Sequence, residues 1–122
     1  MPKKILIVDD STALRQSISF ILTQGGYQTT EAADGLEALK ILGAMDSVDV
    51  IITDVNMPVM DGITLIKKTR EIAKFKFTPI LVLTTESQDT KMSEGKDAGA
   101  TGWIVKPFNA DTLLATVKKV VG

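Results

Sequence analysis

The sequence predicts an α/β fold: a doubly wound, five-stranded parallel sheet with five helices. Three observations predict it. Strand-like and helix-like segments alternate strictly along the chain, with no linker, repeat or low-complexity tract between them. The runs Ile5-Leu6-Ile7-Val8, Val50-Ile51-Ile52-Thr53 and Pro79-Ile80-Leu81-Val82-Leu83 are almost continuously apolar, as strands covered on both faces must be. Two further runs, Tyr27 to Glu31 and about Gly102 to Val105, are more mixed, as edge strands are.

Each element follows from local pattern. After the first strand, Leu14, Ile18, Ile21 and Leu22 mark one helical face, which Gly25-Gly26 ends. Asp34 with Glu37 forms a capping-box signal for a second helix, whose inner face is expected to carry Leu36, Leu39 and Leu42. The third strand is expected over Val48 to Thr53. Pro58 and Asp61-Gly62 break the chain before a helix carrying Ile63, Ile66 and Ala73. Ser87 can cap a fourth helix, a weak one with Met92 as its only large apolar residue and Gly95 costing roughly 1 kcal/mol relative to alanine. The last helix follows Asn109 and carries Leu113, Leu114, Val117, Val120 and Val121. Right-handed crossovers with the two mixed strands outermost give the flavodoxin-like order 2-1-3-4-5.

Composition narrows the chemistry. A chain of 122 residues, 44% hydrophobic and 24% charged, fits one domain over residues 1–122. A net charge of -1 gives no electrostatic case for nucleic acid, and no apolar run approaches the ~20 residues a membrane span needs. The N-terminus shows no small-residue cleavage site, so a cytoplasmic protein is expected, and nothing suggests an obligate dimer, so a monomer is expected. There is no cysteine and no histidine. Thiolate sites, disulfides, serine-histidine-aspartate triads, histidine metal sites and a phosphohistidine carrier role are excluded. Any bound metal must be held by oxygen, which points to magnesium, calcium or manganese.

The reactive residues follow the strands. Asp9 and Asp10 come directly after the first apolar run, Asp54 after the third, Thr84 after the fourth and Lys106 after the fifth. Parallel strands present their carboxyl ends along one edge, where ligands bind. Taken singly these residues have plain alternatives: Asp10 or Ser11 caps a helix, Asp54 caps a turn, Thr84 is a strand-end hydroxyl and Lys106 a solvated lysine. Together they converge. Two carboxylates ~5 Å apart repel by about 3 kcal/mol at an effective dielectric near 20. A hard divalent ion relieves that repulsion, and lysine and hydroxyl groups beside it suit a phosphoryl group.

Those residues resemble a known family. Ile5-Leu6-Ile7-Val8-Asp9-Asp10-Ser11, Asp54-Val55-Asn56-Met57-Pro58 with Asp61-Gly62, Leu83-Thr84-Thr85-Glu86 and Lys106-Pro107-Phe108 are together similar to receiver domains of two-component response regulators. The resemblance spans essentially the whole chain and is to stand-alone, CheY-like chemotaxis regulators. It implies a single receiver without an effector domain, with output through protein contact. Asp54 would be the phosphoacceptor for a sensor histidine kinase of chemotaxis type. Mg2+ would be held by Asp9, Asp10, Asp54 and the backbone carbonyl of Asn56. Lys106 would pair with the acceptor and then with the phosphoryl oxygens, and Thr84 would swing onto the phosphoryl group. The Lys106-Pro107 bond would be cis. The protein would be a phosphoacceptor regulator, catalysing only its own phosphorylation and dephosphorylation.

Switching would shift the face made by the fourth helix, fifth strand and last helix, controlling a downstream protein such as the flagellar motor switch, with a phosphatase as a further partner. The family usually has tyrosine or phenylalanine as the switch aromatic, where this chain has the larger Trp103. Trp103 therefore reads either as a switch residue or as a partly exposed edge-strand aromatic. Asn56 and Glu86 resemble the pair of fast-cycling chemotaxis receivers, implying loss of the phosphoryl group in seconds to minutes, and the bulk of Thr85 would slow access.

Alternatives are a phosphate sink or phosphorelay intermediate outside chemotaxis, and a receiver reduced to a scaffold. A flavin or nucleotide binder would need a phosphate-cradling loop after the first strand, where Asp9-Asp10 would repel the phosphate. A magnesium-dependent phosphatase would need a second acid two residues after Asp54, where Asn56 stands.

Overall fold

The computed structural model describes residues 2–55, 57, 59–84 and 89–121, with only the backbone described for 89–92. Its elements run β1 Lys4–Val8, α1 Thr12–Gln24, β2 Gln28–Ala32, α2 Gly35–Ala44, β3 Val50–Asp54, α3 Gly62–Arg70, β4 Ile80–Thr84, α4 Asp89–Ala98, β5 Gly102–Val105 and α5 Ala110–Val121. All strand pairs are parallel, in the order β2-β1-β3-β4-β5. The fold class and strand order expected from the sequence are thus the observed ones.

Side chains alternate along each strand and so feed two cores. Leu6, Val8, Ile51, Ile80 and Val82 pack under α2 and α3 with Leu42, Leu65, Ile66 and Phe75. Ile5, Ile7, Ile52, Leu81 and Leu83 face the other way, onto Ile18 and Leu22 of α1 and Leu113 and Val117 of α5. β3 and β4 are buried throughout, whereas β2 and β5 at the edges are mixed, which is why continuous apolarity marked the central strands.

Helix starts follow side-chain capping. Ser11 Oγ accepts the Leu14 N–H at 3.2 Å, so the serine and not Asp10 caps α1. Asp34 accepts from Glu37 N, Asp61 from Thr64 N and Asn109 from Thr112 N, each at 2.8 Å. The capping box is displaced by one residue, because Glu37 Oε1 reaches the Ala33 N–H. Ser87 and the Met92 side chain, on which the reading of α4 relied, lie outside the described residues.

Several expectations are corrected. Leu36 is 45% exposed, and the inner face of α2 is Gly35, Ala38 and Leu42 with Leu39 beside them. Small residues carry that face because Met60 packs against Gly35 so closely that a Cβ there would lie 2.9 Å from its side chain. α3 ends at Arg70, so Ala73 belongs instead to a short 3₁₀ turn, Ala73–Phe75, that drives Phe75 fully into the core. β2 begins at Gln28 because the Tyr27 N–H is spent on Leu22 O at the end of α1. β3 begins at Val50, after Asp49 has bracketed Lys4 by its own N–H and its carboxylate.

Arg70 was not singled out by sequence, yet it fastens three segments. Nε and Nη2 donate to Gly99 O at 3.1 and 2.7 Å, and Nη1 to the main-chain oxygens of Phe75, Lys76 and Thr78 at 3.0, 3.2 and 2.6 Å. Burial lowers the pKa of its guanidinium. Gly99, at φ +113°, lies against the arginine stem, 3.0 Å from a would-be Cβ to Nε.

Gly62 decides how closely α3 approaches the end of β3. Its N–H donates to Val55 O at 2.8 Å, and a Cβ there would stand 2.1 Å from Asp54 O and 3.0 Å from Val55 Cα. Both are backbone atoms, which cannot step aside alone. Gly62→Ala is therefore expected to cost about 3 kcal/mol in urea denaturation. Gly43→Ala, on an open stretch of α2 with nothing within 4 Å, should instead gain about 0.5 kcal/mol. Equal effects from the two substitutions would contradict this packing.

Candidate functional site

Register brings the strand ends together. Val8 of β1 lies beside Thr53 of β3, Asp54 beside Leu83 of β4, and Thr84 beside Val105 of β5. The residues that follow Val8 and Val105, Asp9 and Lys106, therefore arrive at the same edge as Asp54 and Thr84. Asp9 is 1% exposed, Asp54 8% and Thr84 4%, while Asp10 is exposed. Carboxylate oxygens of Asp9, Asp10 and Asp54 lie within 4.8 Å of one another.

Main-chain donors fix two of the carboxylates. Ser11 N–H donates to Asp9 Oδ1 and Val55 N–H to Asp54 Oδ1, both at 2.8 Å. The remaining oxygens face Lys106, whose Nζ is 3.5 Å from Asp9 Oδ2 and 3.4 Å from Asp54 Oδ2. Lys106 is carried there by β5, with its N–H donating to Thr84 O at 2.7 Å. Its peptide bond to Pro107 is cis.

Burial pushes the Asp54 carboxyl above the ordinary carboxylate range, against the pull of the Lys106 ammonium. The Asp9 charge adds to the rise, and the Val55 hydrogen bond opposes it. One ammonium does not balance three carboxylates. Hard oxygen donors this close together, two of them held by main-chain N–H groups, fit a magnesium ion, which uses few protein carboxylates and keeps water on its other positions.

The structure thus brings Asp9, Asp10, Asp54 and Lys106 together, with Thr84 at the adjoining strand end. Trp103 lies one strand further out on β5, 37% exposed. Asn56, Thr85 and Glu86 lie outside the described residues. Two features were missed. Val59, in the loop after β3, holds φ at +70° and is 76% exposed, a strained conformation for a β-branched residue. Arg15, one turn into α1, donates to Asp9 O, a main-chain partner that leaves no signal in the sequence. A groove of about 710 Å3 lined by α3 and α4 includes Val55 and Asp61 but none of the clustered acids, so it flanks the site without containing it.

Residues 5–118 match the response regulator receiver domain family. The chain is 40% identical over 120 residues to chemotaxis protein CheY1 of Helicobacter pylori, covering 98% of this chain and 97% of that one. The crystal structure of chemotaxis protein CheY4 of Vibrio cholerae superposes with a TM-score of 0.95 at 52% identity, covering 98% of this chain and 99% of that one. The receiver domain of a Pseudomonas aeruginosa sensor histidine kinase, solved with magnesium coordinated in its active-site cleft, gives 0.91 at 26% identity, covering 100% and 99%. Among the described residues no helix is long and apolar enough to cross a membrane. The chain therefore belongs to the response regulator receiver domain family of two-component signalling, close to its chemotaxis members.

Proposed function

We propose that Asp54 accepts a phosphoryl group from a phosphohistidine of a chemotaxis-type sensor kinase, and that the modified receiver then controls a protein partner. The observation that carries this reading is the convergence of Asp9, Asp10 and Asp54 around Lys106 at the carboxyl edge of the sheet. A carboxylate oxygen of Asp54 attacks phosphorus, the bond from phosphorus to the donor nitrogen breaks, and the nitrogen keeps the electron pair. Asp9, Asp10 and Asp54 would hold Mg2+ together with the Asn56 carbonyl, as the magnesium-bearing relative supports. Bound there, the ion supplies charge neutralisation for the transferring phosphoryl oxygens. Lys106 shifts from the two carboxylates to the new phosphoryl oxygens, and the Thr84 hydroxyl closes on them.

Output is proposed through α4, β5 and α5, with Trp103 as the switch aromatic and Asn56 and Glu86 setting the lifetime. The identity to chemotaxis proteins supports the chemotaxis part of this reading. The regulator is further proposed to be cytoplasmic and monomeric, to act on a target such as the flagellar motor switch, and to be reset by its own hydrolysis or a phosphatase.

The test is intact-protein mass after incubation with a small acyl-phosphate or phosphoramidate donor, with and without magnesium. Gain of one phosphoryl group is expected only with the metal and only with Asp54 in place, so that Asp54→Asn gains none. Wild-type protein that binds magnesium but stays unmodified would turn the reading towards a protein-binding scaffold.

Asp54 also makes a pH-dependent prediction for metal-free protein. A raised pKa means that the folded state binds the proton more readily than the unfolded chain, so stability falls as pH rises through that raised value. Asp54→Asn should therefore melt higher than wild type at neutral pH, and the gap should close on acidification below the ordinary carboxylate range. Thermal melts across pH in chelator measure this; a wild type as stable as the variant at neutral pH would contradict it.

A further inference from the structure

Arg15 touches none of the acid oxygens in the cluster, yet it grips the turn that carries two of them. Nη1 donates to Asp9 O at 2.6 Å, Nε to Glu31 Oε1 at 3.3 Å and Nη2 to Thr12 Oγ1 at 3.3 Å. These acceptors lie just past the end of β1, on β2 and at the start of α1. The arginine side chain is only 13% exposed, while its Glu31 and Thr12 partners face solvent and the bond to Asp9 O is the partly buried one. From the other side, Ser11 N–H fixes the Asp9 carboxylate, and Asp9 N–H donates to Ala32 O. The carbonyl, the amide and the carboxylate of Asp9 are each tied to a different segment, and Asp10 follows directly.

We infer that Arg15 is a positioning residue that fits the Asp9-Asp10 turn to a small, octahedral cation. The inference rests on the reading of the cluster as a magnesium site. A charge-only role makes the opposite prediction: removing a cation beside three carboxylates would tighten any divalent ion. Positioning also depends on the ion. Magnesium demands near-ideal octahedral geometry, whereas calcium accepts six to eight oxygens in a flexible shell. A loosened turn penalises magnesium far more than calcium.

The test titrates isotope-labelled protein with magnesium chloride or calcium chloride and follows the amide signals of Ser11 and Val55, which donate to the Asp9 and Asp54 carboxylates. Wild type is compared with Arg15→Met and with Arg15→Lys, which keeps the charge but cannot span three acceptors. Both variants are expected to lose roughly tenfold or more in magnesium affinity, as residues that orient metal ligands do. Calcium affinity should fall much less. If Arg15→Met does not fold, Arg15→Lys carries the comparison. Unchanged or tighter magnesium binding, equal losses for both ions, or wild-type behaviour of Arg15→Lys would overturn the positioning role. Wild-type protein giving no response to magnesium would overturn the metal reading itself, a result distinct from any of these.

Discussion

The Lys106 ammonium stands 3.5 Å from Asp9 and 3.4 Å from Asp54, and the carboxyl edge of the sheet is organised around that contact. Two nearly buried carboxylates side by side would otherwise force one to take up a proton. The lysine can reach both because β3 and β4 stand between β1 and β5 and all four run the same way. A strand reversed or moved by one place would carry its terminal residue to the opposite edge or a strand's width away. Sheet order and site charge are in this sense one design.

That balance remains deliberately incomplete in charge. Asp10 adds a third carboxylate at the exposed mouth of the cluster. Burial holds Asp54 reluctant to ionise while Lys106 draws it towards ionisation. Such a site responds strongly to arriving positive charge and to relocated negative charge, since both relieve a repulsion already present. Thr84 and the start of the β5 exit are bound to the same edge by the Lys106 N–H, so a shift of the lysine bears on both strands.

Much of this was legible in sequence, for a physical reason. Central strands buried on both faces need uninterrupted apolar runs, and a polar residue at the end of such a run announces a strand terminus. Asp9, Asp54, Thr84 and Lys106 were visible in that way. The face of α2 was misread because Gly35 and Ala38, not Leu36, face inward, and small residues give little hydrophobic signal. Phe75 sits in an isolated turn with no period to reveal it. Arg15 and Arg70 escaped because a lone arginine in a helix reads as a solvated charge, and their partners are mostly main-chain oxygens with no residue identity to notice.

The Arg70 clasp carries a consequence for how such chains drift. Its acceptors are the carbonyls of Phe75, Lys76, Thr78 and Gly99, and every amino acid supplies a carbonyl. Side chains at positions 76 and 78 can be exchanged without disturbing these bonds, provided the backbone path is kept. The clasp would therefore leave no trace as correlated substitution between its partners. A constraint linking the end of α3 to the turn before β5 would be inherited through one side chain and the shape of two loops, invisible to any comparison that looks for residues changing in pairs.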